Sequence, residues 1–112
     1  MAKYLILFNS GMSASETMAS ATPEQMKASM DEWMKWRDEA VKTVKFEWGM
    51  PLQAVGRVTK SGVVSSDTQA SGYSIMEADS KDVIIELLKS HPQLKRPESS
   101  IDVLEMLPMP GM

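Results

Sequence analysis

Four residues, Thr22-Pro23-Glu24-Gln25, constrain the fold of this chain more than any other stretch. The Thr22 hydroxyl is placed to accept from the backbone N–H three residues on. The Gln25 side chain can reach back to the N–H of Thr22, and Pro23 suits a first helical position whose N–H has no intrahelical partner. A helix therefore starts here. Met26, Met30, Trp33, Ala40, Val41 and Val44 follow on one stripe at helical spacing, with Lys27, Asp31, Lys35, Asp38 and Lys42 opposite. The pattern predicts an amphipathic helix ending near Val44, which must bury its stripe against another layer.

The flanking segments supply that layer. Tyr4 to Phe8 is an unbroken apolar run of β-prone residues ended by Asn9-Ser10-Gly11, the pattern of a strand covered on both faces. Residues 10–21 are small and polar and read as a long loop, a length common in lids and binding segments. Phe46 to Met50 reads as a short hydrophobic link. Leu52 to Thr59 alternates with a period of two, Ser61-Gly62 signals a turn, and Val63-Val64 follows, which together predict a hairpin. Gly72 to Ala78 alternates again as a further strand. Asp79-Ser80 offers a cap for a second helix, Lys81 to Ser90, with Val83, Ile84, Leu87 and Leu88 on its buried stripe and Pro92 at its end. Ser99 to Leu107 reads as a last strand, and residues 108–112 as an irregular tail.

This order predicts one α+β domain over residues 1–112 with the ferredoxin-like pattern β-α-β-β-α-β, an antiparallel sheet carrying two helices on one face. Leu5, Leu7, Val103 and Met106 suggest apolar residues on both faces of that sheet. A second copy of the chain would cover the bare face most simply, so a homodimer is expected.

Composition limits the functions open to such a domain. At 112 residues there is no room for a separate cofactor-binding half. The absence of cysteine removes disulfides, thiolate metal sites and cysteine nucleophiles. A net charge of -3 offers no clustered cationic face for a phosphate backbone, so no nucleic-acid partner is expected. No stretch reads as a signal peptide or a membrane span, and the expectation is a cytoplasmic protein with no membrane partner. One histidine among scattered carboxylates has no metal-ligand spacing, and no Gly-rich phosphate loop or nucleophile elbow is present. Neither a metal nor a cofactor is expected.

With these elements in place the sequence resembles the YCII-related family, including its DGPF-type branch. The resemblance rests on Lys3-Tyr4-Leu5-Ile6-Leu7, Thr22-Pro23-Glu24-Gln25-Met26, Gly72-Tyr73-Ser74-Ile75, Glu77-Ala78-Asp79-Ser80, His91-Pro92 and Ser100-Ile101-Asp102-Val103, and spans nearly the whole chain. It implies a dimeric α+β barrel with a pocket between sheet and helices, and an enzymatic role built on a histidine and an aspartate near that pocket. The chain departs from the DGPF branch at Val64-Ser65-Ser66-Asp67-Thr68-Gln69, where only Asp67 of the motif stands.

Individual residues carry the chemistry such a role would need. His91, the single histidine, projects onto the Val83-Leu87-Leu88 stripe. There the helix dipole favours imidazolium and burial opposes it. It reads either as a general acid or base or as a cap on core polar groups. Arg37 falls in the middle of the first helix's apolar stripe, either as a clamp for an anionic substrate or as a salt-bridge partner of Glu47, Glu77 or a dimer mate's carboxylate. Trp33, with Met26, Met30 and Met34, would line an adaptable apolar pocket or pack as core. Tyr73 is a candidate substrate contact from a strand, and Asp67 a candidate catalytic acid from a loop. The functional expectation is a small-molecule enzyme with His91 and Asp67 catalytic and Arg37, Trp33 and Tyr73 binding a small anionic or apolar molecule. The alternative is a non-catalytic ligand-binding or dimeric interaction module.

Overall fold

The computed structural model describes residues 2–11, 16 and 19–110. In chain order they form β1 (Ala2–Asn9), α1 (Pro23–Ala40), β2 (Lys45–Pro51), β3 (Arg57–Thr59), β4 (Gly62–Val64), β5 (Ala70–Ala78), α2 (Lys81–Leu88), a 3-10 turn (Pro92–Lys95) and β6 (Ser100–Glu105). Four strands make one antiparallel sheet in the order β2-β5-β1-β6, and β3 and β4 make a separate two-stranded hairpin. The result is an α+β fold compatible with a ferredoxin-like arrangement.

Both halves of the capping box are formed. Thr22 Oγ1 accepts from the Gln25 N–H at 3.1 Å, and Gln25 Oε1 accepts from the Thr22 N–H at 2.9 Å. The far end of α1 differs from expectation: the helix stops at Ala40 and continues as a turn in which the Val44 N–H still reaches the Ala40 carbonyl. Its stripe is also only half used. Ala40 and Val44 are buried and Trp33 packs against the core, but every residue from Thr22 to Glu32 is exposed, Met30 by 60%, as are Met34 and Val41. The periodicity is real, but among the described residues nothing buries the first half of the helix.

Helices and sheet meet on one side. Tyr4, Ile6 and Phe8 of β1 and Met76 and Ala78 of β5 pack against Ala40, Val44, Ile84 and Leu88. On α2 the buried residues are Ile84 and Leu88, flanked by the half-buried Val83 and Leu87, as the stripe predicts. Register fixes the opposite face. Leu5 pairs with Ile75 and Leu104, and Leu7 with Tyr73 and Asp102, so these side chains point away from the helices. Val103 pairs with Ile6 and packs in the core, whereas Leu5 and Leu7 lie on the other side, so apolar residues stand on both faces as expected.

The second strand is also corrected. The stretch 46–50 lies inside β2, with Phe46 paired to Met76 and Trp48 to Ser74, whereas 52–56, although alternating, forms no strand. The reason is the partner: the ladder to β5 shifts register between Trp48 and Pro51, and its last bond is the Leu52 N–H to the Ser71 carbonyl. Gly49 is required within the shift, because a Cβ there would fall on the Tyr73 carbonyl and ring. The segment expected as a loop over 10–21 contains helix at Glu16, Ala19 and Ser20, and its residues 12–15 and 17–18 lie outside the described residues. Of the tail, Pro108 to Pro110 is irregular and 111–112 lie outside them too.

Candidate functional site

The structure separates the sequence-predicted site residues into four places. His91 lies just past α2, on the helix-covered side of the sheet, and is 3% exposed. Its ring meets those of Trp33 at 4.4 Å, Trp36 at 4.5 Å and Phe8 at 4.9 Å between centroids. Nδ1 accepts from the Gln93 N–H at 3.0 Å, so His91 caps the 3-10 turn, and the proton of the neutral imidazole belongs on Nε2. Burial among these rings lowers its pKa from 6.5 to about 4. Of the two opposing influences, desolvation wins, and the imidazole is neutral through the physiological range.

Around this nest the polar groups are bonded to backbone. Trp36 Nε1 donates to the Leu87 carbonyl at 3.2 Å, and Gln93 Nε2 donates to the Asn9 carbonyl at 3.0 Å, tying the turn after α2 to β1. Trp33 therefore shares the nest with His91. Tyr73 does not: it pairs with Leu7, on the opposite face of the sheet from Phe8, with its ring over Gly49.

Arg37 sits on the flank of α1. Its Nη2 pairs with the neighbouring Asp38 at 3.2 Å, and its guanidinium carbon lies 5.9 Å from the Trp48 ring centroid. The acceptors anticipated at Glu47 and Glu77 are not the ones it uses. Among the described residues Nε is buried with no hydrogen-bond partner, a cost that the stacking and the exposed ion pair offset only in part.

Asp67 lies in a fourth place. It pairs with Arg57 at the base of the β3–β4 hairpin, and that guanidinium holds its carboxyl below the usual carboxylate range. It also lines a hollow of about 440 Å³ at the end of the sheet where β1 leaves and β5 enters. Three separate loops build the walls: Ser10 and Gly11 with Glu16, then Leu52 to Ala54, then Ser66 to Ala70. The Ser10 N–H bonds the Gln69 carbonyl at 3.0 Å and fixes two of these walls together. Hydroxyl and amide groups dominate, from Ser10, Gln53, Ser66, Thr68 and Gln69. None of His91, Arg37, Trp33 or Tyr73 reaches it.

Sequence reasoning names Asp67 and the loop at Ser10 but not the hollow, because its walls are polar residues scattered over three stretches with no common spacing. The aromatic nest was equally hidden. Phe8 stands in the first strand's apolar run and Trp33 on the helix stripe, and only the fold brings them, with Trp36, to one histidine. Among the described residues no group of histidine and carboxylate side chains could hold a metal ion, and no helix is long and apolar enough to cross a membrane. No family model and no curated protein matches this chain.

Proposed function

We propose that this chain is a YCII-related protein acting as a homodimeric, non-catalytic module that binds a small polar molecule in the hollow beside Asp67. The observation carrying this reading is the hollow's lining: hydroxyls and amides that can donate and accept, with the Glu16 carboxylate and an Asp67 carboxylate already paired to Arg57. A general acid or base must reach the substrate proton and titrate near the working pH. His91 is walled by three rings, spends Nδ1 on a backbone N–H, and titrates at about 4. Those facts favour binding over the enzymatic reading in which His91 and Asp67 act together.

A thermal-shift screen of small polyols, amides and amino acids tests the proposal. A bound compound at about a hundredfold excess over its Kd raises Tm by about 10 °C in a domain of this size. Ala54→Trp, which fills the hollow from an exposed wall position, abolishes that shift while leaving the circular dichroism unchanged. A shift that survives Ala54→Trp places the ligand elsewhere. Turnover of a bound compound that disappears in folded His91→Gln restores the enzymatic reading.

A further inference from the structure

We infer that the β3–β4 hairpin is an arm that docks along β6 of a second copy of this chain, an inference that rests on reading the chain as a homodimer. Every residue from Gln53 to Ser65 is exposed, so the hairpin projects from the sheet with no layer beneath it. A lone two-stranded hairpin is marginally stable in water. This one is held at its ends: Gly62, with φ +130°, closes the turn, Thr59 Oγ1 donates to the Gly62 carbonyl, and Arg57 pairs with Asp67 at the base. Between those ends Val58 and Val63 face each other across the strands as an apolar pair, 81% and 73% exposed. An arm that shows valines to solvent offers an apolar surface to a partner.

The matching surface lies at the far edge of the sheet. β6 pairs with β1 alone among the described residues, leaving its outer edge open, and Leu104, Met106 and Leu107 are exposed along and just beyond it. Charge agrees with shape. The arm carries Lys60 at its turn, with Arg57 at its base already paired to Asp67, whereas residues 100–109 carry Asp102 and Glu105 and no cation. The hairpin is inserted between β2 and β5, and β6 stands at the opposite edge, so the two surfaces of one chain do not meet and the contact is made between copies.

Area points the same way. Four strands about 4.8 Å apart, rising about 3.3 Å per residue, give a bare sheet face of about 400 Å². A stable interface takes about 800 Å² per partner. Two reciprocal arm contacts add to the sheet face in a closed two-fold dimer.

The absence of cysteine makes the test clean, because an introduced pair reports only the intended contact. Chains carrying Val63→Cys are mixed with chains carrying Leu107→Cys and oxidised mildly. The expected product is a cross-linked heterodimer, with little cross-linking of either variant alone. Sedimentation of the wild type is expected to give the dimer mass, and Val58→Asp with Val63→Asp to weaken association about a hundredfold with unchanged circular dichroism. A wild-type dimer whose association survives both aspartates overturns the arm and leaves the dimer standing. Cross-linking of Val63→Cys to itself shows arm meeting arm and overturns the β6 contact. A monomeric wild type overturns the arm and the dimer together.

Discussion

Along β1, Tyr4, Ile6 and Phe8 lie under the helices with almost no exposure, whereas Leu5 and Leu7 between them point to the other side and are only partly buried. The residues are equally apolar, and the strand is one continuous run. Among the described residues only one of the two faces finds its cover. On that covered face the helices, the sheet and the aromatic nest interlock, and the polar groups of His91, Trp36 and Gln93 are bonded inward. The other face ends in paired charges, Lys3 and Lys45 flanking Glu77 across three strands, around a patch of Leu5, Ile75 and Leu104. Burial is thus set by what stands opposite a residue as much as by its own hydrophobicity.

The sharpest way to break this contrast is to truncate both faces. Ile6→Ala leaves a cavity in a fully buried site and is expected to lower unfolding stability by about 3 kcal/mol, read by urea denaturation. Leu5→Ala is expected to cost less than about 1 kcal/mol at concentrations low enough to keep the chain monomeric. Equal losses would mean that both faces are covered within one chain.

Acid probes the covered face alone. The folded-state pKa of His91 lies below its ordinary value, so the unfolded chain binds the extra proton between pH 6.5 and 4. Stability is therefore full above about pH 6.5, falls as pH drops towards 4, and is lower by about 3 kcal/mol below it. Denaturation midpoints across that range should show this slope, and folded His91→Gln should flatten it.

A smaller test lies within the core. Among the described residues the Ser74 hydroxyl is buried without a partner, so Ser74→Ala is expected to stabilise by up to about 1 kcal/mol. A loss instead would mean that the hydroxyl is satisfied in solution. The least change is expected at the exposed ion pair. Arg57→Gln should leave the denaturation midpoint in place while the Asp67 carboxyl titrates closer to an ordinary carboxylate, followed by NMR.

Parts of this molecule were legible residue by residue. Thr22 and Gln25 cap α1 as their spacing implies, and the Ser61-Gly62 turn closes a hairpin. The 83, 84, 87, 88 stripe of α2 faces the core, and His91 turns inward. Other parts were not. Phe46 to Pro51 has no pattern that marks it as a strand, and becomes one because β5 offers it a ladder. Leu52 to Gly56 has the alternating pattern but no partner.

The same division holds for function. The sequence by itself determined both helices, the hairpin turn and the strands at 4–8, 72–78 and 100–105, where the first helix begins, and that His91 and Asp67 are the rare groups with chemistry to offer. These are decided by hydrogen bonds and periodicities that span a few residues. The tertiary structure decided that His91 is sealed among rings drawn from residues 8, 33 and 36, and that Asp67 belongs to a polar hollow built by three loops. It also left one sheet face and the valine arm uncovered. Desolvation and packing depend on neighbours brought from far along the chain, and no local spacing encodes them.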